Sequence, residues 1–103
     1  MKLKEIKDKL CLEIDDALSK GWKMRASMFI HRESKCCCAL GAYYAAAGEC
    51  DISTEEIMEN RAEEFGVSIE QLWTLAMGFD GVEMFTNTPF NTLGRQLREK
   101  YLK

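Results

Sequence analysis

The sequence predicts an all-α fold, a compact bundle of about five helices around a central apolar helix, with a short extended arm at residues 22–31. Three observations carry that expectation. Apolar residues recur at intervals of three and four near both ends of the chain, the signature of helices with one buried stripe. Residues 36–47 run for twelve positions without a charge. Between residues 52 and 72, helix start signals and glycine stops follow one another twice. The length of 103 residues gives room for one core, so residues 1–103 read as a single domain.

The first helix is expected from about residue 2 to about residue 20, because Leu3, Ile6, Leu10, Ile14 and Leu18 fall on one side of a 3.6-residue repeat. Gly21 supplies its stop. From Trp22 the period changes to two: Trp22, Met24, Ala26, Met28 and Ile30 alternate with Lys23, Arg25, Ser27, Phe29 and His31. This segment reads as the extended arm, and a strand there needs a second extended piece or a second copy of the chain to pair with. The uncharged run from Cys36 to Ala47, apolar on every side and closed by Gly48, reads as the central helix.

Ser53 with Glu56 is placed to form a capping box, and Ile52 with Ile57 the hydrophobic staple around it. The third helix ends at Gly66. Val67 with Leu72 and Ser68 with Gln71 repeat the same pattern and start the fourth, which runs to Gly78. Gly78-Phe79-Asp80-Gly81 is a turn-forming stretch. Thr88 before Pro89 suits an N-cap and first turn, with Phe90, Leu93, Leu97 and Tyr101 on the buried side of a last helix.

Charge is unevenly spread. The net value of −3 divides into +3 over residues 1–48, −8 over residues 49–80 and +2 over residues 81–103. The acidic middle favours basic partners and repels phosphates. Charged residues interrupt the first twenty positions, so neither a signal peptide nor a membrane anchor is expected, and the location read from the sequence is cytoplasmic. The five cysteines, at 11, 36, 37, 38 and 50, are an odd number with three in a row, which is poor material for a disulfide framework and fits reduced thiols.

Each chemical motif has a structural counterpart. Cys36, Cys37 and Cys38 at the start of a helix would have their thiolates stabilised by its dipole, yet buried cysteine is among the commonest core residues. A metal, if one is bound, would draw on Cys36, Cys38, Cys50 and His31, but no Cys-x-x-Cys pair is present, and no cofactor is expected. His31 could in principle activate Cys36 or Cys38, although no third group is placed to orient it. Residues 58–78, with Ala62, Gly66, Val67, Ser68, Leu72 and Leu75, have the spacing of a helix-turn-helix unit. Its second helix would present Ser68, Ile69, Glu70, Trp73, Thr74 and Met77 to DNA, without one Arg or Lys. Glu55, Glu56, Glu59, Glu63 and Glu64 read as a solvated helix face.

The stretch Cys38-Ala39-Leu40-Gly41-Ala42 resembles a motif of small uncharacterised bacterial and phage proteins, which also end in a helix similar to Leu93-Gly94-Arg95-Gln96-Leu97-Arg98. The resemblance implies a compact helical fold, and a phage origin is the corresponding expectation. It brings no activity, cofactor or catalytic residue with it.

The reading that follows is a non-enzymatic module that binds another protein, or itself as a homodimer, through apolar residues of non-helical segments: Trp22, Met24, Met28, Phe79, Asp80, Met84 and Phe85. The alternatives are a helix-turn-helix DNA-binding regulator using residues 58–78, with nucleic acid the less expected partner, and a cysteine-based redox or metal-binding protein.

Overall fold

The structure, a computed structural model, describes residues 1–26, 29–82 and 88–102. Helix α1 spans Leu3–Ser19, followed by three two-residue strands, β1 (Lys23–Met24), β2 (Ile30–His31) and β3 (Cys36–Cys37). Four helices complete the chain: α2 (Ala42–Ala46), α3 (Thr54–Phe65), α4 (Ile69–Phe79) and α5 (Pro89–Tyr101). The protein is therefore mostly helical, but the small mixed sheet corrects the all-α expectation.

The sheet is ordered β1-β3-β2, with β1 parallel and β2 antiparallel to the central β3. The central apolar helix expected over residues 36–47 is thus replaced by a central strand, a turn and a helix of five residues. Its uncharged composition does report burial, since residues 36–42 are all buried. The backbone explains the difference. Arg25 N–H donates to the Cys37 carbonyl at 2.9 Å and Cys38 N–H to the Phe29 carbonyl at 3.0 Å, so the cysteine run satisfies its polar groups across strands. Gly41 then lies so close to the neighbouring segment that a Cβ there would sit 2.1 Å from the Phe29 carbonyl oxygen.

The extended segment at 22–31 folds back as β1 and β2 rather than projecting as an arm. Its period-two alternation holds over Trp22–Arg25, where Trp22 and Met24 are buried and Lys23 and Arg25 exposed. The β2–β3 turn is closed by Lys35 at φ +53°, and the Lys35 ammonium donates to the Lys20 carbonyl at 3.1 Å, capping the end of α1.

Local grammar sets the remaining boundaries. Ser53 accepts from Glu56 N–H at the start of α3, and Gly66, at φ +66°, ends it in the left-handed region. Ser68 and Gln71 form the full reciprocal box at the start of α4. Thr88 accepts from Asn91 N–H ahead of Pro89. The core combines Ile6, Leu10 and Ile14 of α1 with Ile57, Met58 and Phe65 of α3, Leu72, Leu75 and Phe79 of α4, and Leu93 and Leu97 of α5.

The tightest packing joins α4 and α5 as an antiparallel pair. A Cβ on Gly78 would lie 2.3 Å from the Asn91 carbonyl oxygen, and one on Gly94 would lie 2.0 Å from the Leu75 carbonyl oxygen. Each helix thus brings a glycine against the backbone of the other. Asn91, fully buried beside this crossing, donates its amide to the carbonyls of Val82 at 3.3 Å and Thr74 at 3.4 Å and accepts from Arg95 Nε at 3.0 Å.

Candidate functional site

Three regions carry chemistry: the cysteines of β3, an arginine in the interior, and the outer face of α4. Cys36 and Cys37 lie in the central strand of the sheet rather than in a helix, and Cys38 follows directly, where the backbone N–H groups of Leu40 and Gly41 at the start of α2 oppose only part of the effect of its burial. Burial pushes the Cys37 thiol up to about 12 and the Cys38 thiol up to about 11, the direction opposite to nucleophile activation. The void beside Cys38, enclosed by Phe29, Leu75, Phe79 and Asp80, measures about 10 Å³ and holds at most one water. His31 stands across the ladder from Cys36, yet its Nδ1 is 2.6 Å from the Ser34 hydroxyl oxygen. Cys50 is half-buried. Among the described residues, no three His, Cys, Asp or Glu side chains gather where they could hold a metal ion.

The second region corresponds to no motif singled out by the sequence. Arg61 is 1% exposed and inserts between helices, paired with Glu13 of α1 and with Glu64 at 2.7 Å, while Lys9 pairs with Glu64. Its guanidinium carbon also lies 4.5 Å from the centre of the Phe65 ring. Burial pushes the Glu13 carboxyl up, against the opposing pull of Arg61. Glu64 therefore belongs to an interhelical cluster, not only to a solvated face. The signal was available in the spacing, because Arg61 falls four residues after Ile57 and four before Phe65, on the buried stripe of α3. Four charges tie α1 to α3, and the cluster reads as architecture.

The third region is the outer side of α4. Ile69 and Trp73 are 42% and 40% exposed and, with half-buried Met77, recur every four residues as one ridge. Phe29 leans against this ridge, its ring centre 5.8 Å from that of Trp73. A cleft of about 370 Å³ runs along Glu70, Trp73, Thr74 and Met77. A second, of about 250 Å³, adjoins it through Glu70 and Thr74 and continues past Gln71 to Thr88, Pro89 and Phe90. A third, of about 490 Å³, begins on the other side of Pro89 and is lined by Leu3, Lys4, Lys7, Thr92, Leu93 and Gln96.

The residues expected to form the contact surface are distributed differently. Trp22, Met24 and Phe79 are buried in the core and Asp80 is half-buried, so the first three cannot present a face to a partner. Met28, Met84 and Phe85 lie outside the described residues. Ile69, Trp73 and Met77 stand in the sequence on the surface that a recognition helix would present. Among the described residues, no helix is long and apolar enough to cross a membrane. Comparison with family models, curated proteins and solved structures finds no match for the chain.

Proposed function

We propose that this chain is a non-enzymatic protein-interaction module whose contact face is the outer side of α4. The observation that carries the reading is the pair Ile69 and Trp73, two large apolar side chains about two-fifths exposed on successive turns of one helix. A single exposed leucine needs no explanation, but an aromatic-centred ridge beside clefts has the composition of an interface anchor. Trp73 has a large contact area and few rotamers to immobilise, which favours its use in binding.

The chemistry of the same face argues against the alternatives. Gly66, Val67 and Ser68 join α3 to α4 as a helix-turn-helix would, but the exposed positions of α4 offer DNA the carboxylate of Glu70 and no cation. The raised thiols of Cys37 and Cys38 and the absence of room beside Cys38 speak for packing over redox chemistry. A photo-crosslinking residue placed at Trp73 tests the reading, with Leu12, 71% exposed on α1, as the control position. Discrete protein adducts are expected from position 73 and not from position 12. Equal labelling at both positions would refute the assignment.

A further inference from the structure

The three clefts follow one another through shared lining residues, Glu70 and Thr74 between the first and second and Pro89 between the second and third, with an acid on one side of Pro89 and two lysines on the other. The α4 end contains Glu70 as its one charged lining residue, and the α1 end contains Lys4 and Lys7 as its only ones. They meet at Pro89, which lines both the second and the third cleft. Among the described residues, neither Glu70 nor either lysine has an ion-pair partner within the chain. Apolar groups lie beside both ends, with Ile69 and Trp73 at one and Leu3, 36% exposed, at the other.

A surface with an anionic end, a centre and a cationic end is complementary to itself when turned by half a revolution about its centre. In a two-fold dimer, residue i of one copy meets residue j of its partner while j meets i, so every contact made at one end is repeated at the other. We propose that the occupant of these clefts is a second copy of the chain, docked by a two-fold axis near Pro89. Glu70 of each copy then faces Lys4 and Lys7 of the other, and the Trp73 ridge packs toward the apolar residues around Leu3. The proposal rests on the α4 contact face described above and specifies its partner. Charge complementarity of this kind fixes orientation and register more than it adds affinity, so the dimer is expected to be reversible and weakened by salt.

A charge-swap experiment reads the two-fold geometry directly. Light scattering on a sizing column over a series reaching high micromolar concentration should show the wild-type chain passing from monomer to dimer. Glu70→Lys alone places three cations against one another at each end, and Lys4→Glu with Lys7→Glu places three anions there. Each variant is expected to dimerise about tenfold more weakly or worse, with the far-ultraviolet circular dichroism of the folded chain. Mixed together, the two variants should form a heterodimer, because both of its ends then join opposite charges. The three substitutions combined in one chain should likewise restore the homodimer.

A wild-type chain that stays monomeric throughout overturns the proposal. So does a dimer that is sensitive to Trp73→Ala but shows no rescue on mixing; the α4 face would then stand as the contact and the two-fold register would fall. A dimer indifferent to both Trp73→Ala and the charge changes would overturn the α4 contact face as its interface together with the proposal. The crosslinking comparison between positions 73 and 12 separates loss of this partner from loss of the face itself.

Discussion

Replacing Gly94 with alanine should damage this fold more than almost any other single-methyl change. In a helix interior the substitution ordinarily gains about 1 kcal/mol, because alanine loses less backbone freedom than glycine. Here the new Cβ would sit 2.0 Å from the Leu75 carbonyl oxygen and 2.8 Å from the Phe79 nitrogen, both backbone atoms of the facing helix. Relieving the shorter contact to 3.0 Å, the least that such a contact tolerates, parts α4 from α5 by about 1 Å. A gap of that size forfeits roughly a quarter to a half of the dispersion well at each affected atom pair. The crossing is flanked by Leu72, Leu75, Phe79, Leu93 and Leu97, all buried. The Asn91 bonds to Thr74 and Val82, at 3.4 and 3.3 Å, have no slack to absorb the shift, and each is worth about 1 kcal/mol. Overpacking of about 1–3 kcal/mol plus the two weakened bonds, less the propensity gain, leaves a net loss of about 2–4 kcal/mol. For a domain of this size that lowers Tm by about 10 °C or more, read by thermal circular dichroism. Gly48→Ala is the control: at φ +82° it strains the backbone, but no heavy atom lies within 4 Å of the new methyl. A Tm for Gly94→Ala equal to or above wild type would refute the close crossing.

Further outcomes follow from the interior. In native protein near pH 8, a thiol reagent should label the half-buried Cys11 and Cys50 well before Cys37 and Cys38, which should react only on unfolding. Because their folded pKa values exceed the unfolded ones, the stability contributed by these two neutral thiols is complete below about pH 8.5 and declines as pH rises toward about 11 and 12. Urea titrations at pH 8 and pH 10 should therefore give the lower midpoint at the higher pH, and equal midpoints would count against thiol burial. Arg61→Ala should cost about 3–5 kcal/mol, since it leaves Glu13 buried without its cation. Arg61→Met combined with Glu13→Gln should recover part of that loss in the same titration, and no recovery would show that the cluster acts through something other than charge pairing.

The parts of the fold legible in the sequence are those written in local chemistry. Ser68 with Gln71, Gly66 and Thr88-Pro89 each satisfy backbone groups within one turn, so their spacing alone locates the ends of α3, α4 and α5. The first stripe holds in its middle, with Ile6, Leu10 and Ile14 buried, but both of its ends are exposed, Leu3 by 36% and Leu18 by 40%, and the buried side shifts to Ala17 at the end of α1. The cysteine run resembles a helix in the sequence because an uncharged stretch reports burial and not backbone conformation. Its identity as a strand depends on pairing with residues 23–24 and 30–31, a long-range matter. Long-range packing also decides which apolar residues reach the surface. Trp22, Met24 and Phe79 looked free because they sit in non-helical or terminal positions, yet tertiary packing covers them. Trp73, which the sequence places on the outer side of a recognition-type helix, is two-fifths exposed.

The paired glycines of α4 and α5 also bear on how the outer face of α4 would bind. A helix held against its neighbour backbone to backbone has little freedom to slide or roll, so the backbone that carries Ile69 and Trp73 would keep its place on contact. The ordering of the backbone beneath them is already complete in the folded chain. A weak interface built on such a face gives back little of its gross interaction energy on association. Loosening the crossing with a larger residue at position 78 or 94 should therefore weaken binding even where the exposed side chains are untouched.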